Sequence, residues 1–138
     1  MGDRIGDDMA YQLTALVTLA MVAHYIWTGA LVAGARRDHK VKAPETAGPD
    51  DFNRVYRAHV NSLEQLVVML PVLWIFAVTA GDRWAATLGL VWLIGRVLYV
   101  LAYKDAASKR GTGFMIGFFA MATGLLGSAG SILWSMVR

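Results

Sequence analysis

Residues 10–35 and 111–137 contain no Asp, Glu, Lys or Arg. Each run exceeds the ~20 apolar residues that cross the hydrocarbon core of a bilayer as a helix. Two further stretches are nearly as clean. Between Arg57 and Asp82 the only charge is Glu64, and between Arg83 and Lys104 the only charge is Arg96. Backbone polar groups in lipid must be satisfied within the segment, which leaves helices as the economical spanning element for such runs. The pattern predicts an all-α membrane protein, a bundle of four transmembrane helices over about 10–35, 54–80, 84–105 and 112–137. Residues 36–53 form a polar loop, and 1–138 form a single domain.

Composition supports this reading and narrows the chemistry. The 138 residues are 57% hydrophobic and 17% charged, whereas a soluble domain carries about 25% charged residues. With no Cys, disulfides, thiolate metal sites and a cysteine nucleophile are excluded. Three His give weak support for a metal site, and none is expected. The net charge of +3 has no soluble basic domain to serve, so no nucleic-acid partner is expected. The first apolar run lacks a short core and cleavage site, and reads as a retained span rather than a signal peptide.

Basic residues set the expected orientation. Arg36, Arg37, Lys40, Lys42, Arg54 and Arg57 follow the first span, and Lys104, Lys109 and Arg110 follow the third; Arg4, Arg83 and Arg138 lie on the other side. The positive-inside rule makes the two basic connections cytoplasmic and puts both termini opposite. Asp50 or Asp51 is expected to cap a helix starting near Phe52. Helices two and three form a tight hairpin at Gly81-Asp82, and Pro71 invites a kink.

An ionisable residue inside a span marks a candidate functional site. Arg57, Asn61 and Glu64 stand at i, i+4 and i+7, one face of a helix, while His59 points elsewhere. Arg96, Tyr99 and Tyr103 make a second stripe, which Arg110 extends if helix three continues that far. At about 1.5 Å rise per residue, Glu64 and Arg96 both sit roughly 10 Å below the same boundary. They either form a structural ion pair or face one polar pocket. Arginines and phenols suit carboxylates, Glu64 suits an ammonium and Asn61 an amide. Such a pocket fits a zwitterionic, peptide-like ligand with excess negative charge.

Features elsewhere read as packing. Helix four carries Gly113-x-x-x-Gly117, then Gly124, Gly127 and Gly130, a spacing of small residues that allows close helix approach. Trp84 and Trp134 fall near outer ends of spans as interface anchors. His24 is expected to be a hydrogen-bonded packing residue, and Asp3, Asp7 and Asp8 a solvated N-terminal segment.

The stretches Phe52-Asn-Arg-Val-Tyr-Arg-Ala-His-Val-Asn-Ser-Leu-Glu64 and Leu90-Val-Trp-Leu-Ile-Gly-Arg-Val-Leu-Tyr99-Val-Leu-Ala-Tyr103 closely resemble the MAPEG family. These are membrane-associated proteins in eicosanoid and glutathione metabolism, among them microsomal glutathione transferases and leukotriene C4 synthase. The resemblance covers about Ala35 to Arg110. It implies a homotrimer with glutathione, as co-substrate, bound between subunits at the cytoplasmic side. Arg57, Asn61, Glu64, Tyr99 and Tyr103 match glutathione-contacting positions. Arg36 matches a basic position supplied by the adjacent subunit, and His59 falls where members have Gln or His. Arg110 matches the arginine that holds the glutathione sulfur as thiolate, and Arg37 a second basic residue near the acceptor substrate. Gln65 replaces an aromatic found in some relatives, and Trp92 stands where several have Tyr; both bear on acceptor specificity.

The resemblance therefore implies a membrane glutathione transferase acting on lipophilic electrophiles, with glutathione-dependent reduction of lipid hydroperoxides as a second activity. A guanidinium that remains protonated stabilises a thiolate and lowers the thiol pKa, so no protein nucleophile is required. Two rival readings stand beside it. One is a non-catalytic lipid- or glutathione-binding scaffold of the same fold. The other is a small proton-coupled exporter with Glu64 as carrier.

Overall fold

The computed structural model describes residues 10–138, which leaves Asp3, Arg4, Asp7 and Asp8 outside the described residues. Four helices follow in order: α1 (Gln12–His39), α2 (Asp50–Ala80), α3 (Asp82–Asp105) and α4 (Gly111–Met136), with a 3-10 turn over Ala107–Arg110 before α4. All four are long and apolar enough to cross a membrane. Their large exposed side chains are apolar, for example Leu16, Leu19, Ile26, Val67, Val78 and Leu126. In water such a surface would aggregate; in a bilayer it faces acyl chains.

α2 and α3 pack on each other and on both remaining helices, so α1 and α4 take opposite corners. The core lies where the four meet, around Met21, Met69, Leu73 and Trp92, each 0% exposed. α3 and α4 approach most closely through glycine. A Cβ on Gly113 would lie 2.4 Å from the Tyr99 backbone nitrogen, and one on Gly95 would lie 2.8 Å from that of Gly117. Gly124 and Gly127 likewise face side chains of α2 and α3. Gly130 meets nothing within 4 Å, so the packing stripe of α4 stops before it.

The helix ends differ from the expected ones for electrostatic reasons. α1 runs on past residue 35 because Arg36, Arg37 and His39 occupy its last turn, where cations complement the helix dipole. It stops at Lys40, in the left-handed region at φ 56°. Neither Asp50 nor Asp51 caps α2: Pro49 is the N-cap residue, and both aspartates lie in the first turn, favoured there by the dipole. α2 continues through Pro71 to Ala80. A single residue, Gly81 at φ 100°, then turns the chain into α3, a conformation that favours glycine.

Asp82 ties this hairpin to the start of α1. Its carboxylate accepts hydrogen bonds from Leu13 N (3.0 Å), Thr14 N (2.8 Å) and Thr14 Oγ1 (2.7 Å). A residue distant in sequence thus satisfies the free N–H groups of α1. At the opposite, basic end, Asn53 exchanges two hydrogen bonds with Gly48, and Phe52 packs with Val32, Ala35, Val41 and Val55. Loop and helix ends are thereby held as one layer beneath the polar stripes.

α3 does not carry Arg110. It ends at Asp105, and Ala106 is extended at φ −153°, ψ 133°. Arg110 belongs to the 3-10 turn. Its guanidinium nevertheless returns to the stripe, 5.2 Å from the centre of the Tyr103 ring.

Candidate functional site

Helical periodicity places Asn61 and Glu64 on one side of α2 and Arg96, Tyr99 and Tyr103 along α3. The α2–α3 packing brings the two rows together: Asn61 Nδ2 donates to the Tyr99 hydroxyl at 2.7 Å. Tyr99 is buried, and its ring lies 5.5 Å from that of Tyr103, centre to centre. Above it is a cavity of about 260 Å³ lined by Asn61, Glu64, Gln65, Arg96, Tyr99, Arg110 and Phe114. Two guanidinium groups and one carboxylate line it, so one positive charge is left over for an anion.

Arg57 lies outside this cavity. With Tyr103 it lines a neighbouring recess of about 420 Å³ that also involves Asp50, Asn53, Arg54 and Asp105. Tyr103, which contacts both Tyr99 and Arg110, stands between the two. The cavity alone is smaller than the ~300 Å³ at which ligand pockets usually begin.

Glu64 and Arg96 do not pair. Among the described residues the ion pairs are Arg37–Asp38, Arg54–Asp51 and Lys109–Asp105. Arg96 instead donates from Nη2 to Ser62 Oγ at 3.1 Å and lies over the Tyr99 ring, its Cζ 4.1 Å from the ring centre. Glu64 is exposed beside Leu63 and Val67. It and Arg96 line one cavity without pairing, so of the two arrangements expected it is the shared polar pocket that is found.

His59, Arg36 and Arg37 lie apart from the cavity, on the side of the chain formed by α1 and α2. The His59 ring stacks on Tyr25 at 4.7 Å, with Nδ1 2.8 Å from Thr28 Oγ1 and Nε2 3.3 Å from the Tyr25 hydroxyl. Thr28 already donates its hydroxyl proton to Tyr25 O at 2.7 Å. That leaves its oxygen to accept from Nδ1–H, so Nε2 accepts from the tyrosine. Arg36 donates to Glu45 O at 2.8 Å and lies over the Phe52 ring. Arg37 is exposed and has Asp38 as its ion-pair partner.

Ser62, Phe114, Tyr25 and Thr28 went unnoticed as partners of the site. Ser62 left a signal: it is the one polar residue in the buried row Ala58, Ser62, Leu66, Met69 and Leu73. Thr28 and Tyr25 had none, since their pairing with His59 depends on how α1 rotates against α2. His24 is buried with its ring 5.5 Å from Trp27 and has a hydrogen-bond contact with the Arg96 backbone. A wider cleft, about 740 Å³, opens between α1, α2 and α3 near Gly34, Asp38, Arg54 and Lys104 and contains none of the stripe residues.

Residues 14–130 match the family model described as the MAPEG family. The chain is similar to an uncharacterised protein of Synechocystis, 42% identical over 122 residues that cover 88% of this chain and 89% of the relative. It is also similar to microsomal glutathione S-transferase 2 of Mus musculus, 34% identical over 80% of this chain and 74% of that protein. Leukotriene C4 synthase of Cavia porcellus is 41% identical over 71% of this chain and 65% of its own length.

Proposed function

Because this chain belongs to the MAPEG family, a family of glutathione-using membrane enzymes, we propose that it is a glutathione transferase that conjugates glutathione to electrophiles dissolved in the bilayer. The Asn61–Tyr99 hydrogen bond is the observation that carries the reading. It joins the two polar rows around a cavity with one excess positive charge. Glu64 accepts the glutathione ammonium, Arg57 and Tyr103 meet a carboxylate in the outer recess, and Asn61 offers Oδ1 to an amide. Arg110 holds the sulfur as thiolate. The sulfur lone pair forms a new S–C bond to the electrophilic carbon, the leaving group departs with the displaced electron pair, and the thiol proton has already gone to solvent. Proximity and a donor for the developing charge supply the rate. With a lipid hydroperoxide, two glutathione molecules would yield the disulfide, the alcohol and water.

The working unit we infer is a homotrimer of this single transmembrane domain. Glu64 is an exposed carboxylate flanked by the exposed apolar side chains of Leu63, Val67 and Val68, an expensive position in lipid. A second copy that packs its α1–α2 side there covers Glu64 and brings Arg36 and His59 to the ligand, with Arg37 toward the acceptor. The basic end is placed in the cytoplasm by the positive-inside rule. Chemical cross-linking in mild detergent is expected to stop at trimers; monomers alone would remove this arrangement.

Glu64→Gln tests the pose. It keeps the shape and a hydrogen-bond acceptor but loses the charge that pairs with the ammonium, and charge-assisted bonds are about twice as strong as neutral ones. Glutathione affinity should fall about tenfold, while turnover at saturating glutathione changes little. An unchanged affinity, read by equilibrium binding, would remove Glu64 from the site.

A further inference from the structure

Arg96 is 1% exposed, in the middle of the bundle, and no carboxylate pairs with it among the described residues. Its Nη2 donates to Ser62 Oγ and its Nε has no hydrogen-bond partner. The titratable and charged groups that face it come from every helix around it: His24 of α1, Glu64 of α2, Tyr99 of α3 and Arg110 ahead of α4. The Trp92 indole N–H and His24 Nε2 are also unpartnered. A buried guanidinium without a counter-ion is costly, and a residue whose only task was packing would be replaced by an apolar one at no loss. An arginine does not shed its proton to escape that cost. Its charge therefore persists, and the cavity it lines is the place where an anion can answer it.

We propose that Arg96 is a positioning residue of the glutathione reaction: placed over the Tyr99 ring, it holds the phenol that Asn61 binds, and its permanent charge makes the cavity favour the thiolate. The inference rests on the glutathione reading above. Two features of the geometry separate its halves. The contact of Arg96 with Tyr99, Cζ 4.1 Å from the ring centre, together with its hydrogen bond to Ser62, uses a broad guanidinium where an ammonium offers only a point charge. The field at the sulfur requires only a positive charge, which acts at range in a low-dielectric interior. Arg110 and Arg96 then act on the thiolate from two directions, one from the exposed turn and one from the core.

The protein, purified in detergent, is titrated with pH at saturating glutathione while thiolate ultraviolet absorbance is followed, and glutathione affinity is measured separately. Arg96→Gln removes the charge and is expected to raise the midpoint of thiolate formation by about one pH unit or more. Arg96→Lys keeps the charge and loses the guanidinium's contact with Tyr99 and Ser62, so its midpoint should stay near that of the unmodified protein while affinity falls several-fold. A merely structural arginine would not separate the two readouts in this way. An unchanged midpoint in a folded, glutathione-binding Arg96→Gln protein overturns the electrostatic half. Where that variant fails to fold, Arg96→Lys decides: unchanged affinity overturns the ring-holding half, and a raised midpoint despite the retained charge overturns the electrostatic one. The glutathione reading itself fails differently, as absence of saturable binding by the unmodified protein, and takes this inference with it.

Discussion

Arg110→Ala is expected to lower kcat for conjugation about 100- to 1,000-fold, the scale set by removing one preorganised donor from a developing charge, while glutathione still binds. The expectation follows from where the residue sits. Arg110 is exposed in the 3-10 turn between α3 and α4, donates from Nη1 to Ala107 O at 2.9 Å and reaches over Tyr103 into the cavity. It contributes nothing to the core, so its loss leaves the bundle intact and any deficit is chemical. The ligand retains Glu64, Asn61, Arg57 and the tyrosines. Thiolate absorbance at neutral pH should therefore fall along with turnover, while bound glutathione does not. Arg110→Lys keeps a charge without the planar face and should recover part of the rate. Unchanged turnover in Arg110→Ala, assayed with 1-chloro-2,4-dinitrobenzene, would remove its catalytic role.

The second large effect is structural. Gly113→Ala puts a Cβ 2.4 Å from Tyr99 N and 2.7 Å from Gly95 O. Both neighbours are backbone and cannot rotate away, so α3 and α4 must separate where Tyr99 is held. Overpacking of this kind costs about 1–3 kcal/mol and sometimes more, and here it falls on the contact that positions the site. The variant should lose thermal stability in detergent and much of its glutathione affinity together. Gly130→Ala, on the same helix with nothing within 4 Å, is the matched control and should lie within about 0.5 kcal/mol of the unmodified protein. Equal stability of the two variants would contradict the close α3–α4 approach.

How far these properties were legible in the sequence depends on whether a single helix or a pair of helices decides them. Four spans follow from the charge-free runs because one charge in lipid costs enough to be conspicuous in a sequence. Asn61 and Tyr99 were expected on facing stripes because a period of 3.6 residues is a property of each helix alone, and they meet at 2.7 Å. Arg96 and Glu64 share a cavity but do not pair. Arg96 donates to Ser62 instead, a choice set by how α2 and α3 rotate against each other, which no residue spacing within one helix reveals. Arg110 shows a different limit. Extending α3 as an ideal helix puts it on the stripe, the extended Ala106 breaks that helix, and the turn that follows restores the contact by another route. His59, Arg36 and Arg37 belong to the far side of the chain, where only a second copy would complete the site.

On the function proposed, this cavity binds glutathione as a thiolate and delivers it to an electrophile. Titrating the purified protein with glutathione at neutral pH, following thiolate absorbance and then adding 1-chloro-2,4-dinitrobenzene, addresses it in one experiment. The structure predicts saturable absorbance that disappears as conjugate forms. No saturable absorbance, with no conjugate above the uncatalysed rate, would contradict it and leave Glu64 and Arg96 without a glutathione role.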